Sequence, residues 1–136
     1  MPIIQVHVSA KPDPDLSKKI ASHVSARTKD LLRKDPTVTA VTVQYIDPSH
    51  WFAGGSSLED QNLASYWLDI KVVDGTNTKV ELEAYIAAIF KTMENILGPI
   101  HHESYCFVHE VPAAAYGYGG KTQEFRFISG RLTTAA

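Results

Sequence analysis

Pro2-Ile3-Ile4-Gln5-Val6-His7-Val8 is rich in β-branched residues and alternates weakly, and after a short break the chain reads Asp13-Pro14-Asp15-Leu16. The first stretch predicts a strand over Ile3–Val8. In the second, Asp13 suits a helix N-cap. Pro14 suits the first helical position, where its missing N–H costs nothing. Leu16, Ile20, Val24, Thr28, Leu31 and Leu32 then recur at three- and four-residue spacing. That pattern predicts an amphipathic helix to about Lys34, ended before Pro36. Val38–Ile46 reads as a second strand, with Val41, Val43 and Tyr45 on one face. Asp47-Pro48-Ser49-His50 breaks it, and Trp51-Phe52-Ala53-Gly54-Gly55 follows.

The pattern then recurs. Tyr66–Val73 predicts a strand and Asp74-Gly75-Thr76-Asn77 a turn. Thr78 and Glu81 have the spacing of a capping box. Val80, Leu82, Ile86, Ile89, Phe90, Met93, Ile96 and Leu97 form a helical stripe that Gly98-Pro99 stops. Ser104–Val111 predicts a strand, broken by Pro112, and Tyr116-Gly117-Tyr118-Gly119-Gly120 follows. Ser56–Leu63 reads as a linker and Glu124–Ile128 as a short additional strand. Gly54-Gly55 and Gly119-Gly120 stand 65 residues apart, as do Ile3 and Leu68 in the two first strands. One offset at two landmarks signals an internal repeat. A lone β-α-β unit leaves a sheet face or helix stripe uncovered. Two tandem units are therefore predicted to form a four-stranded sheet with both helices on one face, an α+β fold. Residues 1–136 read as one domain: a first unit over about 2–55, a second over about 66–120, and a C-terminal tail 121–136. The other sheet face, read as carrying Val6, Val8, Val43 and Trp67, is expected to pack against other subunits.

Composition narrows the classes. The chain has 136 residues, 44% hydrophobic and 21% charged, which excludes a disordered chain, a collagen and a coiled-coil rod. A net charge of −2 without basic runs argues against nucleic acid. The aromatic-glycine clusters around Trp51, Phe52, Tyr116 and Tyr118 lack the basic neighbours of a base-stacking platform. No apolar run approaches the roughly 18 residues that span a membrane. The opening residues lack the basic-then-apolar pattern of a secretory signal, so a cytoplasmic protein is expected. Cys106, the single cysteine, forms no intramolecular disulfide and reads as a small buried hydrophobe. The histidines form neither an HExxH motif nor a Cys-His array, so no metal and no cofactor are expected.

Pro2 is the residue with the most chemistry to offer. A small penultimate residue permits removal of the initiator methionine, which would leave Pro2 with a free secondary amine. An ordinary α-amine titrates near ~8, and desolvation lowers that value. A neutral amine held by its ring at a strand start is a good general base.

Pro2-Ile3-Ile4-Gln5-Val6-His7 at the start of the first unit and His50-Trp51-Phe52-Ala53-Gly54-Gly55 at its end resemble 4-oxalocrotonate tautomerase, of the tautomerase superfamily. The fused double unit, with Glu110-Val111-Pro112 leading to Tyr116-Gly117, is similar to the cis-3-chloroacrylic acid dehalogenase branch. The resemblance covers about residues 2–120. It implies the tautomerase fold, a homotrimer whose sheets face inward, no cofactor, a small carbonyl acid substrate and Pro2 as catalytic residue. In the tautomerases the proline is a base; in the dehalogenases it is cationic and acts as an acid. The dehalogenases' helper positions fall here on Lys29, Val73, Thr76, Ala115 and Phe107, and all but Lys29 have lost the chemistry. The tautomerase arginines are also absent, with Lys11-Pro12 and Thr42 near their places.

The resemblance therefore implies keto–enol tautomerisation of a small 2-oxo acid of the phenylpyruvate type, with Pro2 as base and Lys29, Phe107 and Tyr116 as substrate-binding candidates. Each of the three has a second reading: Lys29 as part of a solvated basic face, Phe107 as core, Tyr116 as an aromatic packed between subunits. His7 reads as a strand histidine with its hydrogen bonds satisfied. The alternatives are a cis-3-haloacrylate dehalogenase or hydratase of low activity, and a non-enzymatic oligomeric binding protein on the same fold.

Overall fold

The computed structural model describes residues 2–135. Strand β1 (Ile3–Val8) leads to α1 (Pro14–Leu32), a 3-10 turn at Pro36–Val38 and β2 (Ala40–Tyr45). A two-residue-per-strand hairpin, β3 (Phe52–Ala53) and β4 (Ser56–Ser57), and the short helix α2 (Leu58–Gln61) complete the first half. The second half runs β5 (Tyr66–Val73), α3 (Lys79–Leu97), β6 (Tyr105–Val111), a hairpin β7 (Gly117–Tyr118) and β8 (Lys121–Thr122), and α4 (Gln123–Ala135). The sheet order is β2-β1-β5-β6, parallel within each half and antiparallel at the β1–β5 seam.

The repeat is deeper than the glycines suggest. Pro14–Leu32 and Lys79–Leu97 differ by 65 at both ends, and so do the paired hairpin strands Phe52–Ala53 and Gly117–Tyr118. Gly54, Gly55, Gly119 and Gly120 all have positive φ, as a tight hairpin of this hand requires at both central positions.

Both long helices start where the sequence places them. The Asp13 carboxylate accepts from the N–H groups of Asp15 and Leu16 at 3.0 and 3.4 Å. Thr78 and Glu81 cap each other reciprocally. The helices are joined through a buried bond. Thr28 Oγ1 donates to the Val24 carbonyl at 2.8 Å, so the Tyr85 hydroxyl, 2.9 Å away, is the donor to Thr28.

Ile4, Val6 and Val8 of β1 and Leu68, Ile70 and Val72 of β5 point under the helices, where they meet Ile20, Val24, Ile89 and Met93. Cys106 packs against the same core, and burial pushes its thiol up to about 12.

Three expectations are corrected. Val6 and Val8 are fully buried beneath the helices, and Val43 packs on the same core, so of the four named residues only Trp67 lies on the open face. β1 is β-branched at both parities, so its alternation could not say which parity faces in. Ser56–Leu63 is no plain linker: Ser57 caps α2 by accepting from the Asp60 N–H at 3.1 Å, and Leu58 is fully buried. Glu124–Ile128 is helical. The Thr122 hydroxyl accepts from the Phe125 N–H at 3.0 Å, and Phe125, Ile128 and Leu132 recur at helical spacing.

The α3 cap carries a pH-dependent contact. Glu81 accepts from Arg33 Nε at 2.9 Å and from the Thr78 N–H at 2.8 Å. These bonds, Arg33's first, hold its carboxyl at about 2. A carboxyl depressed on folding stabilises the protein above the ordinary carboxylate range and loses that contribution as pH falls toward the folded value. Glu81→Gln should therefore flatten the decline of the urea midpoint between roughly pH 5 and pH 2. A variant that tracks the wild-type profile would show that this contact does not drive the acid response.

Candidate active site

Pro2 is buried immediately before β1, and its carbonyl accepts from the Ala40 N–H at 3.2 Å. The proline is thus pinned beside the start of β2. The expected removal of Met1 concerns a residue outside the described ones.

The strand register lays out the open face in rows. Ala40, Ile3, Lys71 and His109 form the row nearest Pro2; Thr42, Gln5, Asp69 and Phe107 the next; Gln44, His7, Trp67 and Tyr105 the third. His109 Nε2 lies 3.1 Å from Asp69 Oδ1. Phe107 stacks between Tyr105 and His109, with ring centroids 5.9 and 6.0 Å apart. His7 meets Trp67 edge-on at 5.1 Å. Its buried Nδ1 has no hydrogen-bond partner among the described residues, contrary to the expectation of a satisfied histidine. An apolar groove of about 440 Å³ closes the far end of this face, lined by Ile46, His50, Trp51, Phe52, Trp67, Tyr105 and Phe107. Trp67 pairs with His7, four residues along β1 from Ile3 and so about 13 Å away.

Within one subunit the four site candidates do not converge. Phe107 lies on the open face, one row beyond Ile3 and two strands across. Lys29 is exposed on α1, on the helix side of the sheet. Tyr116 follows β6, where its carbonyl accepts from the Gln123 N–H at 3.0 Å and burial raises its hydroxyl pKa. The structure adds a residue that sequence reasoning missed. Lys71 stands opposite Ile3, and its half-buried side chain makes no hydrogen bond or ion pair among the described residues. The alternation of β5 could have flagged its face, but only the register sets it opposite Ile3, the residue after Pro2.

Solved structures share this architecture. A fused 4-OT wild type asymmetric trimer matches with TM-score 0.79 and 16% identity over 92% of this chain and 98% of that one. The chain has the tautomerase fold. A structure of Pt0534 inactivated by 2-oxo-3-pentynoate gives TM-score 0.78 at 17% identity, covering 91% of this chain and 98% of that one. A macrophage migration inhibitory factor-like protein from Entamoeba histolytica gives 0.73 at 21%, covering 89% and 97%. No protein-family model and no curated protein matches the sequence. On this fold no helix among the described residues is long and apolar enough to cross a membrane.

Proposed function

We propose that the protein is a cofactor-independent cytoplasmic tautomerase that moves a proton on a small 2-oxo acid, with Pro2 as general base after Met1 is removed, and that it works as a homotrimer. The position of Pro2 carries this reading: a buried imino acid at the edge of an open sheet face, on a fold shared with fused 4-OT. Burial disfavours the cationic amine, and a lysine on the adjacent strand disfavours it further. Lys71, more than the distant Lys29, is placed to attract the substrate carboxylate and to steady the developing oxyanion. Phe107 and a neighbour's Tyr116 would wall the site.

The test begins with the intact mass of protein from its natural host, followed by incubation with 2-oxo-3-pentynoate. A free proline amine adds to the triple bond, forming one C–N bond while a proton passes to carbon. The expected result is a chain lacking Met1 that gains one reagent mass on its first peptide and loses turnover of a phenylpyruvate-type enol. Retained Met1 would remove the base and overturn the reading. Proline-dependent halide release from a 3-haloacrylate without enol turnover would replace it with the dehalogenase alternative.

A further inference from the structure

We propose a second proton-transfer centre on the open face that works without the Pro2 amine: His109 is its general base, Asp69 holds His109 in place, and Lys71 receives the negative charge. Its reaction is proton exchange at the α-carbon of a 2-oxo acid. The centre shares that substrate class with the reading above but not its base.

Three observations carry this. The first is the register. Lys71 stands between Ile3 on one side and His109 on the other. Adjacent strands lie roughly 5 Å apart, so the ammonium and the imidazole rise from neighbouring positions on one face. The second is the tautomer. An ionised carboxylate only accepts hydrogen bonds, so the 3.1 Å contact makes His109 Nε2 the donor to Asp69 Oδ1. The lone pair then sits on Nδ1. That atom makes no hydrogen bond among the described residues, and the His109 side chain is 45% exposed, open to a ligand. The third is charge. Asp69 pairs with His109 and not with Lys71, which leaves the ammonium unpaired among the described residues. The next row beyond Lys71 and His109 is Val73 and Val111, both half-buried, and the row on the other side ends in Phe107. Across these three rows Asp69, Lys71 and His109 are the only charged or titratable residues among the described ones. A fixed cation with apolar neighbours stabilises a developing oxyanion more than the same cation in water does.

The step balances within the chain and solvent. His109 Nδ1 takes a proton from the α-carbon, and Asp69 stabilises the imidazolium that forms. The C–H electron pair becomes the C=C bond, and the carbonyl π pair moves onto oxygen beside Lys71. The enolate takes a proton from water and the imidazolium gives its own back to solvent, so ketone and enol interconvert with no net change. Lys71 serves either base, with the residue after Pro2 on one side of it and His109 on the other.

The test uses the full chain with a short Gly-Ser extension before Met1, so that the Pro2 nitrogen is an amide. Exchange of the α-hydrogens of 2-oxobutanoate with D2O is followed by proton NMR. The expected result is exchange above the buffer rate that His109→Gln lowers by about 10²-fold. The same loss should appear in a naturally started Pro2→Ala chain, which guards against damage from the extension. Asp69→Asn should lower kcat for exchange at unchanged KM, and the 15N shifts of the His109 ring should report Nε2–H in the wild type and lose that pattern in the variant. Exchange at the buffer rate in both backgrounds, while the processed wild type still turns over its enol, would overturn this centre and leave the proline reading standing. Exchange that survives His109→Gln, or a wild-type ring protonated at Nδ1 alone, would overturn it too. Exchange lost with His109→Gln in a protein whose enol turnover ignores Pro2→Ala would support this centre and end the proline reading.

Discussion

Alanine in place of Pro2 should lower turnover of a phenylpyruvate-type enol by about 10²-fold or more, within the range that a positioned general base supplies. The variant keeps an amine but loses the ring that holds it beside β2. The wild-type rate should fall as pH drops through the amine's pKa, because only the neutral amine accepts a proton. That inflection should lie below the ordinary value of about 8, since burial and Lys71 both disfavour the cation. Lys71→Ala should raise KM more than it lowers kcat, whereas Pro2→Ala should act mainly on kcat. Steady-state kinetics across pH on both variants make the check. Unchanged kcat in Pro2→Ala would end the case for this base.

The largest loss of stability should come from Leu68→Ala. Leu68 is fully buried in β5, one of the two central strands, between Val6 and Cys106 in register. Truncating a buried leucine removes its transfer free energy and leaves a cavity, at a cost of about 2–5 kcal/mol. Neighbouring strands hold this site from both sides, so little collapse can offset the cavity. Val80→Ala on α3 is the matched control, since Val80 is 75% exposed and its loss should be near zero. Urea unfolding of both variants would decide. A Leu68→Ala loss below about 1 kcal/mol would mean that the core reorganises around the gap.

Local chemistry explains what could be read in advance. Asp13-Pro14 and Thr78–Glu81 set the helix starts through bonds between near neighbours, so α1 and α3 were legible to within two residues at their ends. The repeat was legible because two landmarks shared one offset. The inward face of β1 was not, because Ile3 and Ile4, at opposite parities, are equally β-branched. Phe125-Arg126-Phe127 alternates like a strand over three residues, and only the longer spacing to Ile128 and Leu132 reveals a helix. Lys71 and the His109–Asp69 pair escaped because register is a long-range property: it joins residues some 40 to 70 positions apart. The role assigned to Pro2 came from its place in the chain and from the resemblance, and it depends on a processing event that no fold encodes.

The hairpin-and-helix module that ends each half has diverged. In the first half it is tucked in, with Leu58 in the interior; in the second it lengthens into α4 and stands clear. A ring built from a single-module subunit can present two identical rims. In the proposed trimer, fusing unequal modules would give the ring a polarity, a top that differs from its bottom. One rim would gather Pro2 of each subunit and the other Trp67, which the 65-residue offset sets in its place, so selection could reshape either without disturbing its counterpart.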